Sequence, residues 1–161
     1  MAQNFYITIQ GQKQGAIKGD VTLKGHEGAI LGLALSHDIV SPRDPQSGLP
    51  TGQRMHKPLT TTTPWGAATP KLLNAIYTNE TLTSVHMSFW RINAAGVETQ
   101  FMTIDLTNAN VADLASRVPN TSDPNLAKVP EYHDIAFTYQ KITNTFTVGG
   151  ITATDDWEAQ V

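Results

Sequence analysis

The chain has 161 residues, 40% hydrophobic and 16% charged, with a formal net charge of −3 and no cysteine. That balance fits one folded domain with a sizeable core and excludes a disordered or membrane-embedded chain. Without cysteine there is no disulfide, thiolate metal site or cysteine nucleophile, and the scattered lysines and arginines lack the basic footprint of a nucleic-acid binder.

From Met1 to Tyr6 there is neither a basic segment nor an apolar run, so the expectation is a cytoplasmic product with no N-terminal signal and no membrane insertion. Phe5 to Ile9 alternates large apolar and polar residues, and Gly11, Gly15 and Gly19 follow; a strand and turn explain these glycines better than a phosphate loop, since no Gly-Lys-Ser/Thr comes after them. Ile30 to Ser36 reads as the organising strand. At period two it places Leu31, Leu33 and Leu35 on a face to be buried and Gly32, Ala34 and Ser36 on a smooth opposite face. From Ile39 to Arg54, three prolines and two glycines predict a long loop without regular structure, either a solvated mobile loop or one whose Arg43, Asp44 and Arg54 can pair with a neighbouring molecule. A threonine-rich strand from His56 to Thr63 ends at Pro64-Trp65-Gly66.

One helix is predicted, with Thr69 as N-cap, Pro70 at its first position, Leu72, Leu73 and Ile76 as its packing stripe and Asn79 as its stop. Beyond it, Val85, Met87 and Phe89 alternate with polar residues, and Asn93-Ala94-Ala95-Gly96 turns the chain into a partner strand from Val97 to Leu106. A further strand covers Asn110 to Val118, then a polar loop runs from Pro119 to Pro130. Ile135, Phe137 and Tyr139 open the last strands, and Asp155-Asp156 reads as a solvated pair in an acidic tail. The fold class is mainly β: a small antiparallel β-barrel with one flanking α-helix, a single domain over residues 1–161.

Convergent chemistry is not legible in the chain. His26, His37, His56, His86 and His133 are dispersed without the i, i+4 spacing of helical metal ligands. Ser36-His37-Asp38 has the residue types of a nucleophilic triad, but neighbours on a strand point to opposite faces. Glu27, Glu80, Glu98, Asp105 and Asp134 have no spacing that pairs them as acid and base. The expectation is no enzyme, no cofactor and no metal.

Taken in order, the segments resemble the Hcp family, the hemolysin-coregulated proteins of the type VI secretion system. Lys24-Gly25-His26-Glu27-Gly28 followed by Leu33-Ala34-Leu35-Ser36-His37 is similar to that family's Gly-His-Glu segment and Leu-Ser-His strand. His56-Lys57-Pro58-Leu59-Thr60, Thr69-Pro70-Lys71-Leu72-Leu73, Phe89-Trp90-Arg91, Leu106-Thr107-Asn108-Ala109-Asn110-Val111 and Ala136 to Ile142 resemble further family segments in the family's order. The resemblance implies a β-barrel subunit assembling into hexameric rings that stack into a hollow tube, driven out by a contractile sheath, with a spike protein at its tip and small effectors in its lumen. It places Ser36 facing the lumen, with Ala34 and Gly32 sharing that face by alternation. It makes Ser41 to Arg54 the loop that reaches a neighbouring ring, with Arg43, Asp44 and Arg54 at the contact. No toxin domain is expected behind the barrel. Two rival readings stay open: a monomeric β-barrel holding a small apolar ligand, and a zinc hydrolase using His26, His86 or His133.

Overall fold

The computed structural model describes residues 2–156, which form twelve strand segments and one α-helix. Their order is β1 (Phe5–Gly11), β2 (Gly15–Ile17), β3 (Ile30–Gly32), β4 (Ala34–Ser36), β5 (Ile39–Val40), β6 (Met55–His56), β7 (Leu59–Pro64), α1 (Thr69–Tyr77), β8 (Leu82–Ile92), β9 (Glu98–Arg117), β10 (Tyr132–Thr138), β11 (Lys141–Phe146) and β12 (Ile151–Asp156). Every strand pairing is antiparallel. The main path runs β2-β1-β8-β9-β10-β7-β4, while β3, one residue ahead of β4, pairs back with β1. The predicted class, mainly antiparallel β with a single helix, is the observed one.

β9 is the spine. Its first part pairs with β8 and β11 and its last part with β10, so the two strands expected from Val97 and from Asn110 are one 20-residue strand serving two sheets. The change of partner falls at Asn108, whose φ of 51° is a left-handed kink that asparagine tolerates better than most residues. Its Nδ2 donates to Gln140 Oε1 at 2.8 Å, which fixes the kink to the turn between β10 and β11. The turn into β9 forms as expected: Asn93 Oδ1 accepts the Ala95 and Val97 N–H groups, each at 2.9 Å, and Gly96 supplies φ 78°.

Between the sheets lie Ile7, Ile9, Leu59, Leu72, Leu82, Val85, Met87, Leu106, Ile135 and Phe137, each at most 1% exposed. Burying a side chain of this size contributes roughly 1.5–3 kcal/mol, so this filled interior dominates the fold's stability. Helix α1 adds Leu72 and Ala75 to it. Ala68, not Thr69, stands at the N-cap position; Thr69 is already helical, and its Oγ1 accepts the Gly66 N–H at 3.0 Å.

Three expectations are corrected here. The organising strand does not keep one alternation: Ile30 and Gly32 turn inward in β3, whereas Leu35 turns inward in β4, because the chain shifts phase at Leu33, whose N–H donates to Thr62 O at 2.8 Å. Leu33 is therefore exposed and Gly32 buried, reversing the expectation for both. Second, the segment after Val40 is an ordered hairpin. β5 and β6 pair at its foot, Arg43 and Pro50 bridge its middle, and Asp44 N–H donates to Leu49 O at 2.9 Å. The prolines avoid the positions where the ladder needs donors, so they do not prevent it. Third, Asp155 and Asp156 end an edge strand, β12, paired along its length with β11.

Candidate functional site

The surface built by β4, β7, β10 and the last part of β9 carries the chain's smoothest face. Ala34 and Ser36 sit opposite Thr62 and Thr60; these sit opposite Asp134 and Ala136, which in turn sit opposite Ala115 and Asp113. No side chain in this block is larger than aspartate or threonine. The inward partners of the same strands, Leu59, Thr61, Thr63, His133, Ile135 and Phe137, are buried, so alternation leaves the small residues on the outside. Thr62 Oγ1 donates to Asp134 Oδ1 at 2.6 Å and Arg117 donates to Oδ2 at 3.0 Å, holding the Asp134 carboxylate against the sheet. Gly32 does not belong to this face. Its Cα lies under the Phe5 ring, where a Cβ would meet ring carbons at 2.3 Å.

The hairpin from β5 to β6 uses its charged residues unevenly. Asp44 accepts from the Gln46 N–H at 3.1 Å and from Ser47 Oγ at 2.7 Å, a local turn that holds its carboxyl below the usual range. Arg43 and Ser41 are exposed. Arg54 instead grips both carboxylate oxygens of Asp155 within its own chain.

Around that pair is a network that sequence spacing does not announce, since its members lie about a hundred residues apart. His56 Nε2 stands 2.6 Å from Asp155 Oδ2, His56 Nδ1 2.8 Å from Tyr139 Oη, and His37 Nε2 2.6 Å from the same hydroxyl. The bidentate bond from Arg54, aided by His56, pulls the Asp155 carboxyl down to about 2. Burial, with the Asp155 charge adding to it, pushes the Tyr139 phenol up to about 12. Burial also lowers His37, as does the nearby His56. The sequence signal is the period-two spacing that Tyr139 shares with Ile135 and Phe137.

The histidines weighed for zinc are held apart. His26 stacks on Tyr6 at 3.9 Å between centroids and reaches Glu98 at 3.2 Å; His86 pairs with Asp105 across β8 and β9. His133 is 1% exposed, with Nδ1 2.7 Å from Thr63 Oγ1 and Nε2 3.0 Å from Thr69 Oγ1. Each histidine joins two elements of the fold, and Glu80 does likewise by accepting the Gln14 N–H at 3.2 Å.

The class these features define is an antiparallel β scaffold whose polar clusters tie elements together and whose β4-β7-β10 surface carries small residues. A family model described as "Type VI secretion system effector, Hcp" matches residues 6–146, and the chain belongs to the Hcp family. It is 38% identical to the "Major exported protein" of Pseudomonas aeruginosa, over all of this chain and 99% of that one. Among solved structures, an Hcp protein superposes with a TM-score of 0.90 at 30% identity, covering 97% of this chain and 98% of that one. The secreted protein Hcp3 of Pseudomonas aeruginosa superposes with a TM-score of 0.80 at 29% identity, covering 97% and 99%. The chain is thus a secreted tube protein of the type VI secretion system, a structural component and not an enzyme.

Proposed function

We propose that this chain forms hexameric rings that stack into the hollow inner tube of the secretion system, with Ala34 and Ser36 facing a lumen that carries small effectors. The observation that carries the reading is the small-residue face. A channel wall must let cargo slide and still offer polar contacts, and a sheet of Ala, Ser, Thr and Asp side chains meets both needs. Leu59, Phe137 and their neighbours fill the space between the described strands, which supports the tube over a barrel that holds a ligand there. The hairpin, with Ser41 and Arg43 exposed and Asp44 shaping its tip, reaches the next ring; head-to-tail stacking needs two different surfaces with complementary charge. In this reading the subunit is made in the cytoplasm and meets a contractile sheath outside and a spike protein at the tube's tip.

Light scattering on the purified protein, with negative-stain imaging of the same peak, should give hexameric rings with an open centre. A monomer at every concentration would overturn the reading. Ser36→Gln should leave rings intact and reduce the effector that co-purifies with them, because the longer side chain projects into the channel. Unchanged cargo would remove Ser36 from the lumen wall.

A further inference from the structure

The hairpin's own sheet is separate from the ten-stranded one: β5 and β6 pair with each other over two residue pairs, and neither pairs with a strand of the main body. The backbone bond at its foot, Lys57 N–H to Asp38 O at 3.1 Å, closes the hairpin without orienting it. Orientation comes from side chains. His37 precedes β5, while Arg54 and His56 flank Met55 in β6, and all three reach Tyr139 and Asp155 on the main body. We propose that Arg54, His56, Tyr139 and Asp155 are positioning residues that fasten the hairpin to β12 and so hold it in the pose in which it meets another ring. The second half of that statement rests on the stacking role proposed above; the first does not.

The carboxylate sets the direction of one bond. Ionised Asp155 only accepts, so His56 carries its proton on Nε2. The Tyr139 hydroxyl bridges the two imidazoles, with His56 Nδ1 on one side and His37 Nε2 on the other. The contacts run from His37 through Tyr139 and His56 to Asp155, with Arg54 on the same carboxylate. The His56 side chain is 2% exposed, so water does not replace a lost partner.

The test is amide hydrogen exchange of the whole protein, read at the hairpin amides of Asp44, Gly48, Thr51 and Lys57, whose acceptors are known. In Asp155→Asn and in Tyr139→Phe these amides should exchange at least about tenfold faster, while amides of β8 and β9 keep their rates. Imidazole nitrogen shifts should show His56 protonated on Nε2 in the wild type, and that signal should move in Asp155→Asn. Arg54→Gln, at a half-exposed position, gives the same hairpin readout should Tyr139→Phe loosen the core. Wild-type hairpin protection in Asp155→Asn and Arg54→Gln would overturn the fastener, whatever happens to tubes. Faster hairpin exchange with tubes assembling as before would uphold the fastener and overturn the hairpin's role in stacking.

Discussion

Gly32→Val should destabilise the protein by about 3 kcal/mol and lower its melting temperature by roughly 6–12 °C, whereas Ala34→Val two residues on should change stability by less than about 0.5 kcal/mol. The contrast follows from the phase shift at Leu33. A Cβ at Gly32 would stand 2.3–2.5 Å from three carbons of the Phe5 ring, and that ring cannot retreat, because it is 3% exposed and stacked on Phe89 at 4.8 Å. β3 is also held to β1 at Phe5, Tyr6 and Ile7, so relief by backbone movement would break the pairing that returns the path to β1. Ala34 is exposed opposite Thr62, where added methyl groups meet solvent. Thermal melts of the two variants decide the matter: equal tolerance would return Gly32 to the smooth face, and equal collapse would show that β4 is packed on both sides.

The same stretch shows how far the sequence was legible. Alternation places the burial of β1 and β10 correctly, because each has one wet face, and period two is then a direct report of packing; in β8 it fails at Ser88, which is buried beside a register shift. Ala34 and Ser36 emerge correctly as exposed, but Gly32 and Leu33 do not. A one-residue break leaves no mark in a run of leucines, since the phase is set by pairing with β1 on one side and β7 on the other. The hairpin was hidden for a related reason. Proline and glycine content counts against strands locally, whereas Asp44, Pro50 and the two short strands act jointly once the chain has turned. For the fastener, sequence supplied the residue types but no pairing. Asp155 looked solvated because an acidic pair beside no matching cation usually is, and nothing in the spacing links it to Arg54, which grips it within the chain. The ordered family motifs carried what periodicity did not: the tube class depends on how copies assemble, and no single-chain pattern encodes that.

Acid should unfold the protein in two stages, and replacing His133 by Gln should remove much of the first. His133 is buried with both ring nitrogens already committed to threonine hydroxyls, and burial lowers its pKa below the 6.5 of an exposed histidine. Its folded value being the lower one, the unfolded chain binds the proton more readily below about 6.5. The stability that neutral His133 contributes is therefore complete above that pH and is lost as the pH falls toward the folded value. His37, lowered by burial and by His56, acts in the same window and with the same sign. Asp155 follows at lower pH. Its carboxyl is held at about 2 against an ordinary 3.8, so its contribution is intact above about 4 and drains away between there and 2. Urea unfolding at a series of pH values separates the stages. The wild type should lose stability between pH 7 and 5 with the slope of proton uptake on unfolding. His133→Gln should be less stable at pH 7.5 by roughly 2 kcal/mol, since one amide cannot satisfy both Thr63 and Thr69, yet show a flatter profile down to pH 5. A second substitution, His37→Gln, should flatten that limb further and leave the stage below pH 4 unchanged, because that stage belongs to Asp155 and the other carboxylates. Parallel profiles for wild type and His133→Gln would mean that His133 takes up its proton as readily in the folded chain as in the unfolded one, so that the imidazole is not held neutral between Thr63 and Thr69.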